Sequence, residues 1–565
     1  FMISGEAGQG VQSVGFILAK AFSRGGYHVF ADQDYESRVR GGESFFRIRV
    51  KDTPVAAISE QVDVLIALNK DTLDLHWPEV ASGGVAIFDN EKVSTRADSR
   101  LVAIPLAHLA EEKAGNKVMA NTVAIGAAIG LVKFDLGLLN EVLGEHYGSG
   151  ESGEQNLIAA RAGYDYARDK FVARGELLAQ PDGPRRMLLN GNEAIALGAL
   201  AAGCKFVSAY PMTPTTSIIE YLAAKADSLD LAFVQAEDEI SAIHMIVGAG
   251  YAGVRAMTAT AGGGFCLMVE GLGLAGITET PIVVVEGQRP GPAIGLPTRT
   301  EQGDLEFVIH ASHGEFPRAV LAPSNPTDAF WLTVKAFNLA DKYQLPVVLI
   351  TDHHLASSYF TTDRFDLSGV TIDRGLLFSN ESAAGTLPYA RHRLTESGIS
   401  PRAFPGQSGV LVATDSDEHD EAGHLTESGE IRNQMMNKRM GKLIALSKEM
   451  PAPTIYGTDE AKVLLVGWGS TGGAIREACD LLKAEGIETC TLHLTGLWPF
   501  PREVVGGRIA SAGRFYVIEN NATGQLAHLI SAETGCRATG NVLKYDGRPF
   551  TPAQIAREIR KEIAK

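Results

Sequence analysis

The opening stretch constrains the fold most. An apolar run (Phe1-Met-Ile-Ser) is followed by a glycine loop (Gly5-Glu-Ala-Gly8-Gln-Gly10), a helical pattern (Val11 to Arg24) and a second apolar run (Tyr27-His-Val-Phe-Ala). This strand–helix–strand order predicts a βαβ unit and a parallel sheet. The alternation returns twice. After a Pro/Gly/charge linker, Gln180-Pro-Asp-Gly-Pro-Arg-Arg, a new start at Met187 leads through Gly191-Asn192-Glu193. Strand-like runs follow at Val254-Arg-Ala-Met-Thr, Pro281-Ile-Val-Val-Val and Gln344-Leu-Pro-Val-Val-Leu-Ile. A last α/β unit opens at Val463-Leu-Leu-Val-Gly-Trp-Gly. The chain therefore reads as multidomain α/β, with a βαβ domain over 1–180, a doubly wound domain over 187–365, a connecting region over 366–455 and a final α/β domain over 456–565. At 565 residues, three or four domains each have length for their own core.

Three segments carry chemistry. In the run from Gln235 to Gly253, Glu239 stands nine residues before Gly248-Ala249 and belongs to the triplet Glu237-Asp238-Glu239. Acids are favourable at a helix N-terminus, so a solvated acidic helix start and a single functional carboxylate both remain open here. Tyr210-Pro211-Met212-Thr213-Pro214 reads as a strand-to-helix turn, because each proline disfavours αR in the residue before it and the Thr/Ser cluster can cap. Gly295-Leu-Pro-Thr-Arg299-Thr-Glu-Gln-Gly-Asp304 presents an arginine whose planar fork suits a carboxylate. A surface ion pair of Arg299 with Glu301 or Asp304 is its alternative.

The N-terminal glycines are spaced G-x-x-G-x-G, which is neither the dinucleotide fingerprint nor a Walker A loop. Such a loop still presents backbone N–H groups to an anion. A dehydrogenase using Asp32 or Asp34 at a ribose is the alternative reading of this unit. Residues 35–50 alternate basic and apolar side chains, the pattern of an edge strand with a solvated basic face.

A net charge of −16 argues against nonspecific binding to nucleic acid or anionic lipid. The longest apolar stretch, Ala256 to Val269, is too short and too rich in glycine and threonine to span a bilayer. The sequence opens at Phe1 with no Met and no secretory h-region, and a few residues are expected upstream. Five cysteines without a Cys-x-x-Cys fit a reducing cytoplasm and leave no cluster or zinc ligand set. Asp415 to His424 concentrates acids and histidines, but Arg432 to Lys442 can pair them, and no metal site is assigned in this chain.

Taken together, the Tyr210–Pro214 signature, Gly295–Asp304 and the Glu239 spacing resemble the α subunits of 2-oxoacid:ferredoxin oxidoreductases. The Gly5–Gly10 loop with Arg40-Gly41-Gly42 resembles their γ part, here fused ahead of α. The last unit, with Thr495-Gly-Leu-Trp-Pro-Phe-Pro501 and Val517 to Gln525, resembles a transketolase C-terminal domain, and the acidic 415–424 string resembles the family's inter-domain connection.

The resemblance implies thiamine pyrophosphate (TPP) chemistry in which Glu239 serves the cofactor's aminopyrimidine, with Tyr210, Pro211 and Glu237 beside it and Thr213 and Arg299 at the substrate carboxylate. Gly5, Gly8, Gly10, Arg40, Gly41 and Gly42 are the candidates for coenzyme A phosphates. A complete one-chain enzyme of this kind shows a Gly-Asp-Gly for the pyrophosphate and Mg²⁺, and none is present. The resemblance therefore implies a β partner carrying that half and a [4Fe-4S] cluster, ferredoxin as acceptor and an (αβ)₂ assembly. It favours 2-oxoglutarate over pyruvate or another 2-oxoacid, and Arg402 is the candidate cation for a distal carboxylate. A non-catalytic scaffold relative is the remaining reading.

Overall fold

The computed structural model describes residues 1–37, 41–172, 178, 183–379, 389–458 and 461–565. Contacts divide the chain into two units: 1–189 with 357–364 and 551–553, and the remainder.

The first unit holds an eight-stranded sheet. Its expected βαβ is present but modified. Met2–Ala7 and His28–Tyr35 run in the same direction, yet Gly41–Lys51 lies between them, antiparallel to both. The sheet is therefore mixed, and the basic stretch read as an edge strand is an interior one. What makes this affordable is charge pairing across the ladder. Asp32 stands opposite Arg47 and accepts its Nε at 3.0 Å and a terminal N–H at 2.8 Å, a bidentate geometry. Asp32 is thereby committed to Arg47, which removes it as a ribose ligand for the dehydrogenase reading.

In the second unit one sheet orders its strands Gly496–Trp498, Ala319–Leu321, Pro346–Asp352, Ile282–Gln288, Ala256–Ala261, Phe206–Ala209 and Ala232–Gln235, all parallel except the first. The chain goes from Phe206–Ala209 outward to Ala232–Gln235, then crosses back to the other side with Ala256–Ala261. This reversal is the topological switch point at which open α/β sheets bind ligands. The helix Gly191–Ala201, read from Gly191-Asn192-Glu193, starts with a capping box in which Asn190 and Glu193 exchange hydrogen bonds. A five-stranded sheet built on Val463–Trp468, Thr489–Leu494 and Arg514–Glu519 shares one apolar core with the first, joining Ile246, Phe265 and Leu272 to Trp468, Leu492 and Val517.

The connecting region is held by buried charge. Asp341 accepts from Arg255 at 2.8 Å and Arg402 at 2.7 Å, and Arg374 Nε lies 2.8 Å from the same carboxylate as an ion pair. Arg402 is withdrawn as a substrate cation by its place, since it meets Asp341 beside Arg255, at the amino end of Ala256–Ala261. The sequence offered an arginine in a turn-rich stretch, and nothing local marked its distant partner. In the acidic string, Glu418 is paired by Arg432 and Arg439, as expected. Glu279, 1% exposed, sits between Lys438 and Lys442 with His392 Nδ1 at 3.0 Å. Burial alone would raise its pKa, but Lys442 and Lys438 hold its carboxyl well below the usual range.

Removing one member of such a group leaves uncompensated buried charge. Glu279→Gln is expected to cost roughly 3–5 kcal/mol, read as a lowered denaturation midpoint. An unchanged midpoint would show that the two lysines do not depend on the carboxylate.

Candidate functional site

The three motifs meet at the carboxyl ends of the parallel strands. Tyr210–Pro214 follows Phe206–Ala209, Glu237–Glu239 follows Ala232–Gln235, and the helix Gly262–Ile277 begins directly after Ala256–Ala261. Arg289 and His353 directly follow Ile282–Gln288 and Pro346–Asp352.

The acidic triplet divides its labour. Asp238 caps the helix Glu239–Tyr251 by accepting from the Ser241 N–H at 2.7 Å, and Glu237 is exposed. Glu239 alone is buried, at 4% exposure, and its carboxylate accepts no hydrogen bond from any described residue. It lies against Gly264, where a Cβ would come within 2.8 Å of its Oε1 and 2.2 Å of the Thr260 hydroxyl. Any side chain at Gly264 would close the space beside the carboxylate.

Thr260 connects this carboxylate to the second motif, since its hydroxyl lies 4.0 Å from Met212 Sδ. Next to Met212, the Thr213 carbonyl accepts from Arg289 at 2.9 Å. Gly287 packs against Pro214 and Thr215 at distances a side chain would violate. Tyr210 and Pro211 are exposed.

The third motif is clasped by the C-terminal sheet. Gln302, fully buried, donates to the Trp468 carbonyl at 2.9 Å and accepts from the Asn520 N–H at 3.1 Å, while Gln525 donates to the Gly303 carbonyl at 2.6 Å. Thr300 bonds its N–H to the Gly547 carbonyl at 3.2 Å and its hydroxyl to Asp352 at 3.3 Å. Arg299 directly precedes these anchors. Burial, then His354, Arg299 and Arg289, push His353 down to about 4, so its ring is neutral at physiological pH.

Sequence reasoning passed over a second acidic pair. Glu286 is fully buried, and neither carboxyl oxygen has a hydrogen-bond partner among the described residues. Burial first, then neighbouring Asp304, raise its pKa well above the carboxylate range. Burial also raises Asp304, which approaches the site of a Cβ on Gly262. The available signal was position, because Glu286, Arg289 and His353 all lie at or just past carboxyl ends of strands legible in the sequence.

The N-terminal motif belongs to the first unit. Gly8 and Gly10 adopt φ of 91° and 76°, and Gly10 opens the helix Val11–Arg24 without a side-chain cap. Gly5 leaves room for Gln9, whose Oε1 accepts from the Glu6 N–H at 2.8 Å. Gly41 and Gly42 also take positive φ, at 71° and 75°, and Arg40 lies outside the described residues.

Three family models match: pyruvate ferredoxin/flavodoxin oxidoreductase over residues 1–166, the thiamine diphosphate-binding region of pyruvate flavodoxin/ferredoxin oxidoreductase over 197–438, and pyruvate:ferredoxin oxidoreductase core domain II over 461–555. A 2-oxoacid:ferredoxin oxidoreductase subunit alpha from Sulfolobus sp is 31% identical over 100% of this chain and 96% of its own length. The 2-oxoglutarate oxidoreductase subunit KorA of Mycobacterium tuberculosis is 29% identical over 99% of this chain and 91% of its own. Among solved structures, a 2-oxoglutarate:ferredoxin oxidoreductase from Magnetococcus marinus, with 2-oxoglutarate, coenzyme A and succinyl-CoA bound, matches with TM-score 0.93 and 34% identity, covering 100% of this chain and 99% of that one. With that full-length agreement and the motifs gathered at one sheet edge, this chain belongs to the 2-oxoacid:ferredoxin oxidoreductases, as a member of their alpha subunits.

Proposed function

We propose that this chain is the γα-fused subunit of a cytoplasmic enzyme that oxidatively decarboxylates 2-oxoglutarate with coenzyme A, giving an acyl-CoA, CO₂ and reduced ferredoxin. The observation that carries the proposal is Glu239. A buried carboxylate without a hydrogen bond, at a switch point and beside a glycine, suits an N–H donor brought by a ligand. An aminopyrimidine is such a donor, so the residues fit TPP. When bound, that cofactor supplies the carbanion-stabilising centre that 2-oxoacid decarboxylation requires.

The chain's own residues then have distinct tasks. Glu239 holds a proton at N1′ of the aminopyrimidine, and Tyr210, Pro211 and Glu237 border the same edge. Thr213 and Arg299 hold the carboxylate next to the keto group, and the anchoring of the Thr300–Asp304 backbone keeps Arg299 in place. Choice of 2-oxoglutarate is supported by the ligands named for the Magnetococcus marinus enzyme. Gly5, Gly8, Gly10, Arg40, Gly41 and Gly42 are proposed for coenzyme A phosphates, supported by the uncapped helix start after Gly10.

A β partner is proposed to bring the pyrophosphate and Mg²⁺ half of the cofactor site and a [4Fe-4S] cluster, within an (αβ)₂ assembly. Exposed apolar residues on the elements that form the site, Ile240, Leu267, Ile294 and Leu296, support a partner surface. The four-domain division and its boundaries at 180, 365 and 455 are part of the same proposal.

The direct test is reconstitution. Expressed alone, the chain should be colourless and bind TPP weakly. With a β partner it should gain colour, tight TPP binding and 2-oxoglutarate-dependent reduction of a one-electron acceptor. Stoichiometric iron in the isolated chain, or reduction of NAD with a 2-hydroxy acid, would overturn the division of labour. In the reconstituted enzyme, Glu239→Gln should keep the fold and lower turnover by at least ~10²–10⁴-fold, the usual worth of positioned acid–base assistance. Near-normal turnover would move the role to Glu237. Arg299→Ala should lower kcat/KM for the oxoacid by roughly 2–4 kcal/mol without changing coenzyme A affinity. Unchanged oxoacid kinetics would take Arg299 out of the site.

A further inference from the structure

Among the described residues, Arg289 has no acid to pair with. It leaves the sheet immediately after Ile282–Gln288, two strands from the Tyr210–Pro214 turn, and donates one N–H to the Thr213 carbonyl at 2.9 Å. It is half-buried, and among the described residues it makes no ion pair. Burial alone accounts for its lowered pKa.

Other buried arginines of this unit use more of their fork on the protein: Arg391 donates to the Gln344 amide oxygen and the Glu279 carbonyl at 2.8 Å and 2.6 Å, and three others meet acids. Arg255 and Arg402 share Asp341, and Arg439 takes Glu418. Arg318, also lowered by burial alone, lies over the Phe316 ring at 4.2 Å from its centroid. Nothing comparable covers Arg289. Its neighbourhood adds positive charge, because Arg289 and Arg299 both act on the neutral ring of His353. No acid acts on Arg289 among the causes of its shift, and Asp352, at the end of the next strand, uses its Oδ1 to accept from the Leu355 N–H and the Thr300 hydroxyl. A guanidinium carries five donors in a fixed fork, and among the described residues only one is used here. Such a group suits an anionic ligand.

We propose that Arg289 is a specificity-determining residue, which reads the distal carboxylate of a dicarboxylic 2-oxoacid while Thr213 and Arg299 hold the carboxylate beside the keto group. The inference rests on the activity proposed above and assigns to Arg289 the role that Arg402 cannot fill. The bond to Thr213 gives the division its geometry, since one end of Arg289 fixes the turn that meets the first carboxylate while the rest of its fork stays available to the second.

The test uses the reconstituted complex with wild-type chain, Arg289→Gln and Arg289→Lys, assayed for acyl-CoA formation from 2-oxoglutarate and from 2-oxobutyrate. Arg289→Gln should lower kcat/KM for 2-oxoglutarate by about 10–100-fold and for 2-oxobutyrate by a clearly smaller factor, because both share any loss at the Thr213 turn and only the former also loses a charge-assisted contact. Arg289→Lys, which keeps the charge without the fork and guards against a folding defect, should fall between. Equal losses on both substrates would overturn the inference, since Arg289 would then act only by holding the Thr213 turn. Calorimetric titration of glutarate and butyrate separates this from the activity. Selective loss of glutarate binding in Arg289→Gln supports the inference even where the wild-type complex turns over neither oxoacid, and unchanged glutarate binding overturns it.

Discussion

The candidate site depends on one reversal of strand order. Because Phe206–Ala209 has Ala232–Gln235 on one side and Ala256–Ala261 on the other, the loops leaving these strands diverge and open a crevice between them. Close approach inside that crevice is then a matter of missing side chains. Gly264 lets Glu239 lie beside Thr260, Gly262 admits Asp304, and Gly287 lets Pro214 and Thr215 rest on the neighbouring strand. Each glycine sits where a Cβ would come within 3.0 Å of a group from another motif. The backbone topology and the glycines are therefore two halves of one constraint, since the reversal supplies the opening and the glycines set its width.

Electrostatics follow from the same burial. Several acids crowd the strand ends, and if all were ionised they would repel an anionic substrate. Burial raises Glu286 and Asp304 toward their neutral forms, while His353 is pushed the other way and also stays neutral. Two guanidiniums face His353 from the same region, Arg289 and Arg299, and Arg289 also holds the Thr213 carbonyl. Desolvation thus lessens the acidity that the sequence alone would assign to these strand ends.

Much of this was legible in the sequence where it was local. The turn at Tyr210–Pro214, the strands around it and the start at Asn190–Glu193 follow from proline, glycine and capping chemistry. What was not legible depended on distant partners. Glu237, Asp238 and Glu239 are three adjacent acids, and only tertiary packing makes one a cap, one exposed and one buried. Gly41–Lys51 looked like an edge strand because its arginines seemed to need water, and Asp32 meets one of them across the ladder instead. Arg402 looked available because Asp341 lies 61 residues away. Arg289 had no motif at all, and only its position after a parallel strand distinguishes it.

The connecting region shows how such long-range charge pairing substitutes for apolar packing. From Tyr389 to Thr426 the described chain forms no helix and only isolated bridges, so backbone hydrogen bonding gives it little independent stability. Buried ion groups fix it at separate points: Asp341 gathers Arg255, Arg374 and Arg402, Glu279 gathers His392 with Lys438 and Lys442, and Glu418 gathers Arg432 and Arg439. An apolar contact tolerates sliding, but a buried charge pays a desolvation cost that only a correctly placed partner offsets. These groups therefore specify where an irregular segment sits, and they do so through atoms remote from the substrate contacts. Arg402 and Arg289 differ in the same way: Arg402 is buried and bonded to Asp341 and holds the fold, whereas Arg289 is half-buried, has no ion pair among the described residues and lies at the carboxyl end of a strand.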